Sequence, residues 1–218
     1  MVSAYIITYN DEETIRDAIR SLKFVTDKIV VAISDVPYHG ESYKKDSTED
    51  IALEEGCIVI HGSWKKEKDH RNAAMTEAEK YSDLVLLCDS DMVWGKDDLL
   101  KLIDHAENST YRAFKVSQVS YWKDRSHILV GDNFCPLVLV KRGVRTVHCA
   151  NVDVDVEYVP DVKVHHYNWC APKDIQKKVL TYHHAPQISK DWYSEKYCKW
   201  VEGTPAELPD CTLEVKRI

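Results

Sequence analysis

The sequence of 218 residues contains no run approaching the roughly 18 consecutive apolar residues that a membrane helix needs. Residues 1–10 carry no basic start ahead of their short apolar stretch, which argues against a secretory leader. There is no CxxC pair. The seven cysteines, an odd number, are scattered at Cys57, Cys88, Cys135, Cys149, Cys170, Cys198 and Cys211. That pattern excludes a disulfide framework and predicts reduced thiols in a cytoplasmic setting. An excess of basic residues is also missing: 29 Lys and Arg stand against 36 Asp and Glu, a net charge of -7. A broad nucleic-acid surface is therefore disfavoured, because phosphate neutralisation needs surplus cations. Internal repeats, low-complexity tracts and an interdomain linker are absent as well. The length suffices for one core and is short for two, so one domain over residues 1–218 is expected.

What is present first is alternation of strand and helix. Residues 2–8 read as a buried strand, followed by helical spacing at Ile15, Ala18, Ile19 and Leu22, with Asn10 and Glu13 spaced as a capping box. Further strands are expected over residues 29–34, 57–61 and 84–88, and helices within 41–55 and over 71–81 and 96–107. Continuous apolar strands separated by helices predict a mostly parallel sheet covered on both faces. After Thr110 the rhythm changes to longer strands, which predicts a mixed or antiparallel second half with a hairpin at Pro160-Asp161. A helix over 173–184 and an aromatic stretch, "DWYSEKYCKW", complete the chain. Its rings Trp192, Tyr193, Tyr197 and Trp200 either stack on sugars or dock the tail on the core.

The stretch "YSDLVLLCDSDMVW" runs an apolar strand into Asp89 and Asp91. Open parallel sheets bind ligands beyond the carboxyl ends of their strands, and side chains two apart on a strand share a face. Two carboxylates so placed repel by about 4 kcal/mol at 4 Å with an effective dielectric near 20, so a cation is expected to offset them. Oxygen ligands favour Mg²⁺ or Mn²⁺, which bind substrate phosphates alongside protein carboxylates. The plain alternative for an isolated Asp-x-Asp is a helix cap or a solvated turn.

Four segments in order, "IITYNDEE", "IVVAISD", "DHRNAAMTEA" and "LVLLCDSDMVW", resemble glycosyltransferases of the GT-A fold, family 2. The resemblance implies an α/β fold with a nucleotide-sugar-binding half (1–109), an acceptor- and metal-closing half (110–171) and a C-terminal helical tail (172–218). It implies a metal-dependent transferase, hexosyltransferase-like and using Mn²⁺ or Mg²⁺. The sugar would pass from a nucleotide-diphosphate donor, a UDP-sugar foremost, to a glycan or other hydroxyl acceptor, with inversion. Thr8, Asn10 and Glu12 would line the nucleotide pocket, Asp35 would meet the base, and Arg71 would approach the diphosphate. Asp89 would contact the ribose or donor sugar, and Asp91 would bind the metal.

"VKVHHYNW" is similar to the strand that closes the metal site in the lipopolysaccharide-core subgroup, which implies His166 as a further metal ligand with His165 pointing the other way. That subgroup often presents a His-Glu pair where this chain has His148-Cys149. The general base then falls to Asp132 or Asp153, with His148 a third candidate; each acid also reads as an ordinary turn or wet-face residue. A zinc site from His165, His166, His183 and His184 is disfavoured, because adjacent histidines seldom aim both rings at one ion. Two other readings stay open. A nucleotidyltransferase would need a Gly-rich phosphate loop, and "TYNDEET" contains no glycine. A non-catalytic nucleotide-sugar-binding module would explain Cys149.

Overall fold

All seven residues of the first strand, β1 (Val2–Thr8), are buried. A strand hidden on both faces needs a neighbour on each edge and a layer above and below. The computed structural model, which describes residues 1–189 and 191–218, supplies all four. Helix α1 (Ile15–Leu22) leads to β2 (Ile29–Ser34), α2 (Thr48–Glu54) to β3 (Ile58–Gly62), and α3 (Glu67–Ala78) to β4 (Leu84–Asp89). β1 lies between β2 and β4, β3 flanks β2, and all three pairings are parallel. Successive side chains alternate in direction. Ala4 and Ile6 therefore pack with Ile15, Ala18, Ile19 and Leu22 of α1, while Tyr5 and Ile7 meet Ala74, Met75 and Ala78 of α3.

Beyond a short strand β5 (Met92–Trp94) and helix α4 (Lys96–Asn108), the sheet becomes mixed. The later strands are β6 (Ala113–Trp122), β7 (His127–Val130), β8 (Leu137–Lys141), the small pair β9 (Thr146–His148) and β10 (Asn151–Val152), and β11 (Val156–Trp169). β8 inserts antiparallel between β4 and β6. β11 runs parallel to β6 and antiparallel to β5. After α5 (Pro172–Thr181), the last strands β12 (Ala206–Glu207) and β13 (Thr212–Arg217) extend the sheet by pairing β13 with β7. Among the described residues no helix is long and apolar enough to cross a membrane. All seven cysteines are free thiols.

Three local expectations are corrected. Pro160-Asp161 makes no hairpin. β11 passes through it with Asp161 in the left-handed region (φ 58°), and the register against β6 shifts between Tyr158 and Lys163. A proline has no N–H for the ladder, so the strand bulges instead of turning. Asn10 and Glu13 form no capping box, because α1 starts later, at Ile15, and Asn10 (φ 57°) spends its amide on the backbone of Lys44. The tail helix ends at Thr181, three residues short of its expected end. The aromatic tail docks: Trp192 and Tyr197 are buried against Trp122, with Tyr193 and Trp200 packed alongside.

Glu55, just after α2, accepts hydrogen bonds from Arg16 (3.0 Å), Arg20 (2.9 Å) and Lys23 (2.7 Å), tying α1 to α2. The Lys23 hydrogen bond foremost, with those of Arg20 and Arg16, holds its carboxyl at about 2, below the ordinary 4.5. Because the folded value is the depressed one, the unfolded chain takes up the proton first. The stabilisation is whole above pH 4.5 and fades as pH falls towards 2. Urea unfolding across this range should show Glu55→Gln less stable than wild type near neutrality, with the difference shrinking in acid.

Candidate active site

β4 ends at Asp89, and the chain turns through Ser90 and Asp91 before β5. The shared-face rule lapses at this turn, and the two acids part. Asp89 Oδ1 accepts from Arg71 Nη2 at 2.8 Å, while Asp91 Oδ1 lies 3.2 Å from His166 Nε2 and its Oδ2 meets the ammonium of Lys178. Each acid has its own positive partner. Asp91 is only 4% exposed. Burial alone would raise its pKa, but Lys178 and His166 outweigh that and hold the carboxyl far below the usual range.

His166 reaches Asp91 because β11 pairs with β5, putting His166 opposite Met92, and because Tyr167 N donates to Asp91 O (2.9 Å). As expected for a strand, His165 takes another direction, its Nδ1 lying 2.8 Å from the Tyr121 hydroxyl. The other nitrogen of His166, Nδ1, is 3.1 Å from Gln118 Oε1. Gln118 Nε2 donates to Asp132 Oδ2 and Ser120 Oγ, both at 2.9 Å, so its oxygen must face the histidine. Nδ1 then carries a proton. Nε2 is left to form imidazolium beside Asp91 or to offer a lone pair. Asp132 also accepts from Ser120 Oγ (2.5 Å) and Phe134 N (3.1 Å), so a continuous polar chain links Asp91, His166, Gln118 and Asp132.

Asp11, one residue from two of the expected pocket residues, is the acid that the sequence reading passed over. It is buried, and its Oδ2 accepts from Thr8 Oγ1 (2.8 Å), Ser90 Oγ (2.7 Å) and Tyr9 N (3.3 Å). Its Oδ1 pairs with Lys177 at 3.2 Å. Burial works against the charged form, yet Lys177 and Lys178, helped by the two hydroxyls, keep its carboxyl low. Consecutive lysines of α5 thus hold two acids that Ser90 links. No pattern in "IQKKVL" marks Lys177 as buried: it is two residues from Ile175 and from Val179, off their shared face, and only the seating of α5 over Asp11 hides it.

The helix α3 supplies a third pairing. Arg71 is 4% exposed and fixed by Glu67 (Nε, 2.7 Å) as well as by Asp89. Neighbouring His70 stacks on Trp64 and bridges Ala32 O and the Tyr38 hydroxyl, at 2.9 Å each. Its burial lowers the imidazole to about 4, so the ring is neutral and structural.

The remaining expected residues spread out. Thr8 serves Asp11. Asn10 and Glu12 line a cleft of about 290 Å³ with Glu13, Tyr43, Lys173 and Lys177, and Glu12 accepts from Ser47 N at 3.0 Å. Asp35 follows β2 directly and is exposed, near Lys45 (3.2 Å) and His61 (3.7 Å). Asp153 is exposed between β10 and β11 and makes no hydrogen bond or ion pair among the described residues. Like Asp35, it stands apart from the Asp11, Asp89 and Asp91 networks.

The Asp91–His166 pair suits a divalent metal. An octahedral ion with bonds of about 2.1 Å sets adjacent ligands about 3 Å apart, close to the 3.2 Å found, and the Gln118 bond orients the ring for ligation through Nε2. A mixed oxygen and nitrogen set suits Mn²⁺. Asp89, held by Arg71, is not in that donor set.

The architecture is that of GT-A glycosyltransferases. Staphylococcus aureus TarS (residues 1–349) shares the fold, with a TM-score of 0.53 at 14% identity over 81% of this chain and 62% of that one. Glucosyl-3-phosphoglycerate synthase from Mycobacterium tuberculosis, in a complex with Mn²⁺, UDP and glucosyl-3-phosphoglycerate, gives a TM-score of 0.44 at 19% identity, covering 54% of this chain. This chain spans only 44% of the mycobacterial enzyme's length. Comparison with curated proteins gives no match. Residues 3–148 match glycosyl transferase family 2, and the chain belongs to that family.

Removing one partner of a buried ion pair strands the other at a cost of about 3–5 kcal/mol. Arg71→Met should lose stability on that scale in denaturant titrations. Adding Glu67→Gln and Asp89→Asn to it should recover part of the loss, which a purely steric role for Arg71 would not allow.

Proposed function

We propose that the chain transfers a sugar from a nucleoside-diphosphate sugar, with UDP as the nucleotide, to a hydroxyl of a glycan or glycoconjugate, inverting the anomeric carbon. The observation that supports this reading is Asp91, buried beyond the carboxyl end of β4 with His166 as its partner, in a chain of family 2. TarS has been crystallised with UDP, which favours a uridine nucleotide here.

In this reading Asp91 and His166 hold Mn²⁺ or Mg²⁺. The ion, when bound, offsets charge on the departing diphosphate as a Lewis acid. Lys173 and Lys177 bring positive charge to the cleft formed by Asn10 and Glu12, where phosphate oxygens are attracted. Thr8 holds Asp11, and Asp11 holds Lys177. Arg71, with both its engaged nitrogens on acids, acts by fixing Asp89 towards the ribose or donor sugar, and Asp35 meets the base. Asp132 takes the acceptor proton. It stands on the Gln118–His166 chain leading to Asp91, whereas Asp153 stands on none. A binding module without turnover is the second reading, favoured by Cys149 at the position of the subgroup's carboxylate.

The tests separate these roles. UDP should raise the melting temperature in Mn²⁺ and much less in its absence, and Asp91→Ala should abolish that difference. Stabilisation indifferent to manganese would overturn the metal assignment. With donor and acceptor, release of free nucleoside diphosphate marks sugar transfer and pyrophosphate marks nucleotidyl transfer. Asp132→Asn should lower transfer by about 10²–10⁴-fold, the usual span for a lost general base. Asp153→Asn should change it by less than about threefold, and the reverse ranking would reassign the base.

A further inference from the structure

Away from the Asp91 network, three metal-ligating side chains from two separate parts of the chain converge. His148 ends β9, Cys149 follows it, and His183 lies two residues past α5. Their ligand atoms all fall within 4.8 Å of one another. Cys149 Sγ is 3.7 Å from His148 Nε2, and the His148 and His183 rings are 5.7 Å apart, inclined by 71°. In a tetrahedral zinc site with bonds near 2.3 Å to sulfur and 2.0–2.1 Å to nitrogen, ligand atoms stand about 3.3–3.7 Å apart. The existing thiol-to-imidazole spacing is already of that size, and the rest need a closure of about 1 Å.

The backbone works to create this convergence. Cys149 adopts φ 49°, an uncommon conformation for a residue with a Cβ, and this reversal folds β10 back on β9. β9 is fixed to α3, where Asn72 exchanges hydrogen bonds with Thr146 N (2.9 Å) and Thr146 O (3.0 Å). The other side is fixed by His39 N donating to Thr181 O (3.1 Å). The loop before α2 comes this close because Gly40 (φ 69°) has no Cβ; one there would stand 2.8 Å from Leu180 O. Half-buried His183 makes no hydrogen bond among the described residues. Two more imidazoles stand beside it, His184 at 5.0 Å and His39 at 6.4 Å between ring centres.

We propose that His148, Cys149 and His183 form a zinc site that fastens the end of α5 to the β9–β10 turn. A thiolate with two imidazoles is a borderline-soft set that selects Zn²⁺ over the Mg²⁺ or Mn²⁺ that carboxylates favour. Water or the His39 imidazole completes the coordination. Binding releases the thiol proton to solvent, and no oxidation is involved. The site lies outside the Asp91–His166 pair. Its consequence is mechanical: the metal holds in place the helix whose Lys177 and Lys178 sit on Asp11 and Asp91.

The experiment is a Zn²⁺ titration of the metal-free full chain against a chromophoric chelator, with mass-spectrometric mapping of thiol alkylation and a Co²⁺ absorption spectrum. The first equivalent of Zn²⁺ should slow alkylation of Cys149 by about tenfold or more, leaving exposed Cys198 and Cys211 reactive, and Co²⁺ should show a thiolate charge-transfer band. Cys149→Ala and His183→Ala should each weaken binding of this first Zn²⁺ equivalent by at least about tenfold, whereas Cys211→Ala should leave it unchanged. Unprotected Cys149 in the wild type would overturn the proposal, and that result needs no variant to fold. So would undiminished affinity in both ligand variants. No donor or acceptor is present, so the outcome is independent of the transferase reading.

Discussion

A carboxylate withdrawn from water at the end of a strand must find positive charge within hydrogen-bond reach, or it will not stay ionised. This chain meets that demand three times at the carboxyl ends of β1 and β4. Asp11 takes Lys177, Asp89 takes Arg71, and Asp91 takes both His166 and Lys178. The partners come from α3 and, about a hundred residues on, from the consecutive elements β11 and α5. The acids therefore decide which parts of the second half may lie over the carboxyl end of the parallel sheet.

Charge satisfaction and apolar packing divide the work between them. Around Trp122, the side chains of Ile175, Val179, Trp192 and Tyr197 form a core distinct from the two that sandwich the sheet. Ile175 and Val179 share a helix with Lys177 and Lys178. One face of α5 is anchored by oil and the other by ions. Buried apolar side chains are worth roughly 1.5–3 kcal/mol each, so packing supplies the adhesion, and the ion pairs set which turn of the helix faces the acids.

The first half of the fold was legible because its strands are hidden on both faces and its helices show one apolar stripe. β1 and β2 have the bounds expected of them, and β4 runs one residue further, through Asp89. The bulge at Pro160-Asp161 was not legible, since a proline beside an acid reads equally as a turn until a neighbouring strand is known to run past it. In the candidate site, Asp91 came from the end of an apolar strand as well as from the resemblance, His166 from the resemblance alone, and the structure brings them together. Asp11, Glu67 and the two lysines were missed for one reason: each has a local reading as a cap or a solvated charge. Only the tertiary placement of α5 and α3 shows that water is excluded there. The separation of Asp89 from Asp91 follows from a strand that ends at Asp89, two residues short of what the alternation rule needs.

α5 enters directly from β11, which is hydrogen-bonded to β6, and it leaves towards a tail whose final strand is zipped to β7. Trp192 locks that tail by donating its indole N–H to Glu207 O (2.8 Å). A segment clamped at both extremities to the same sheet behaves like a roller in its bearings and not like a hinged door. Held at both ends, it is restrained from swinging away as a unit. Opening of the cleft lined by its Lys173 and Lys177 therefore falls to side-chain rotamers, which exposed residues exchange in picoseconds to nanoseconds.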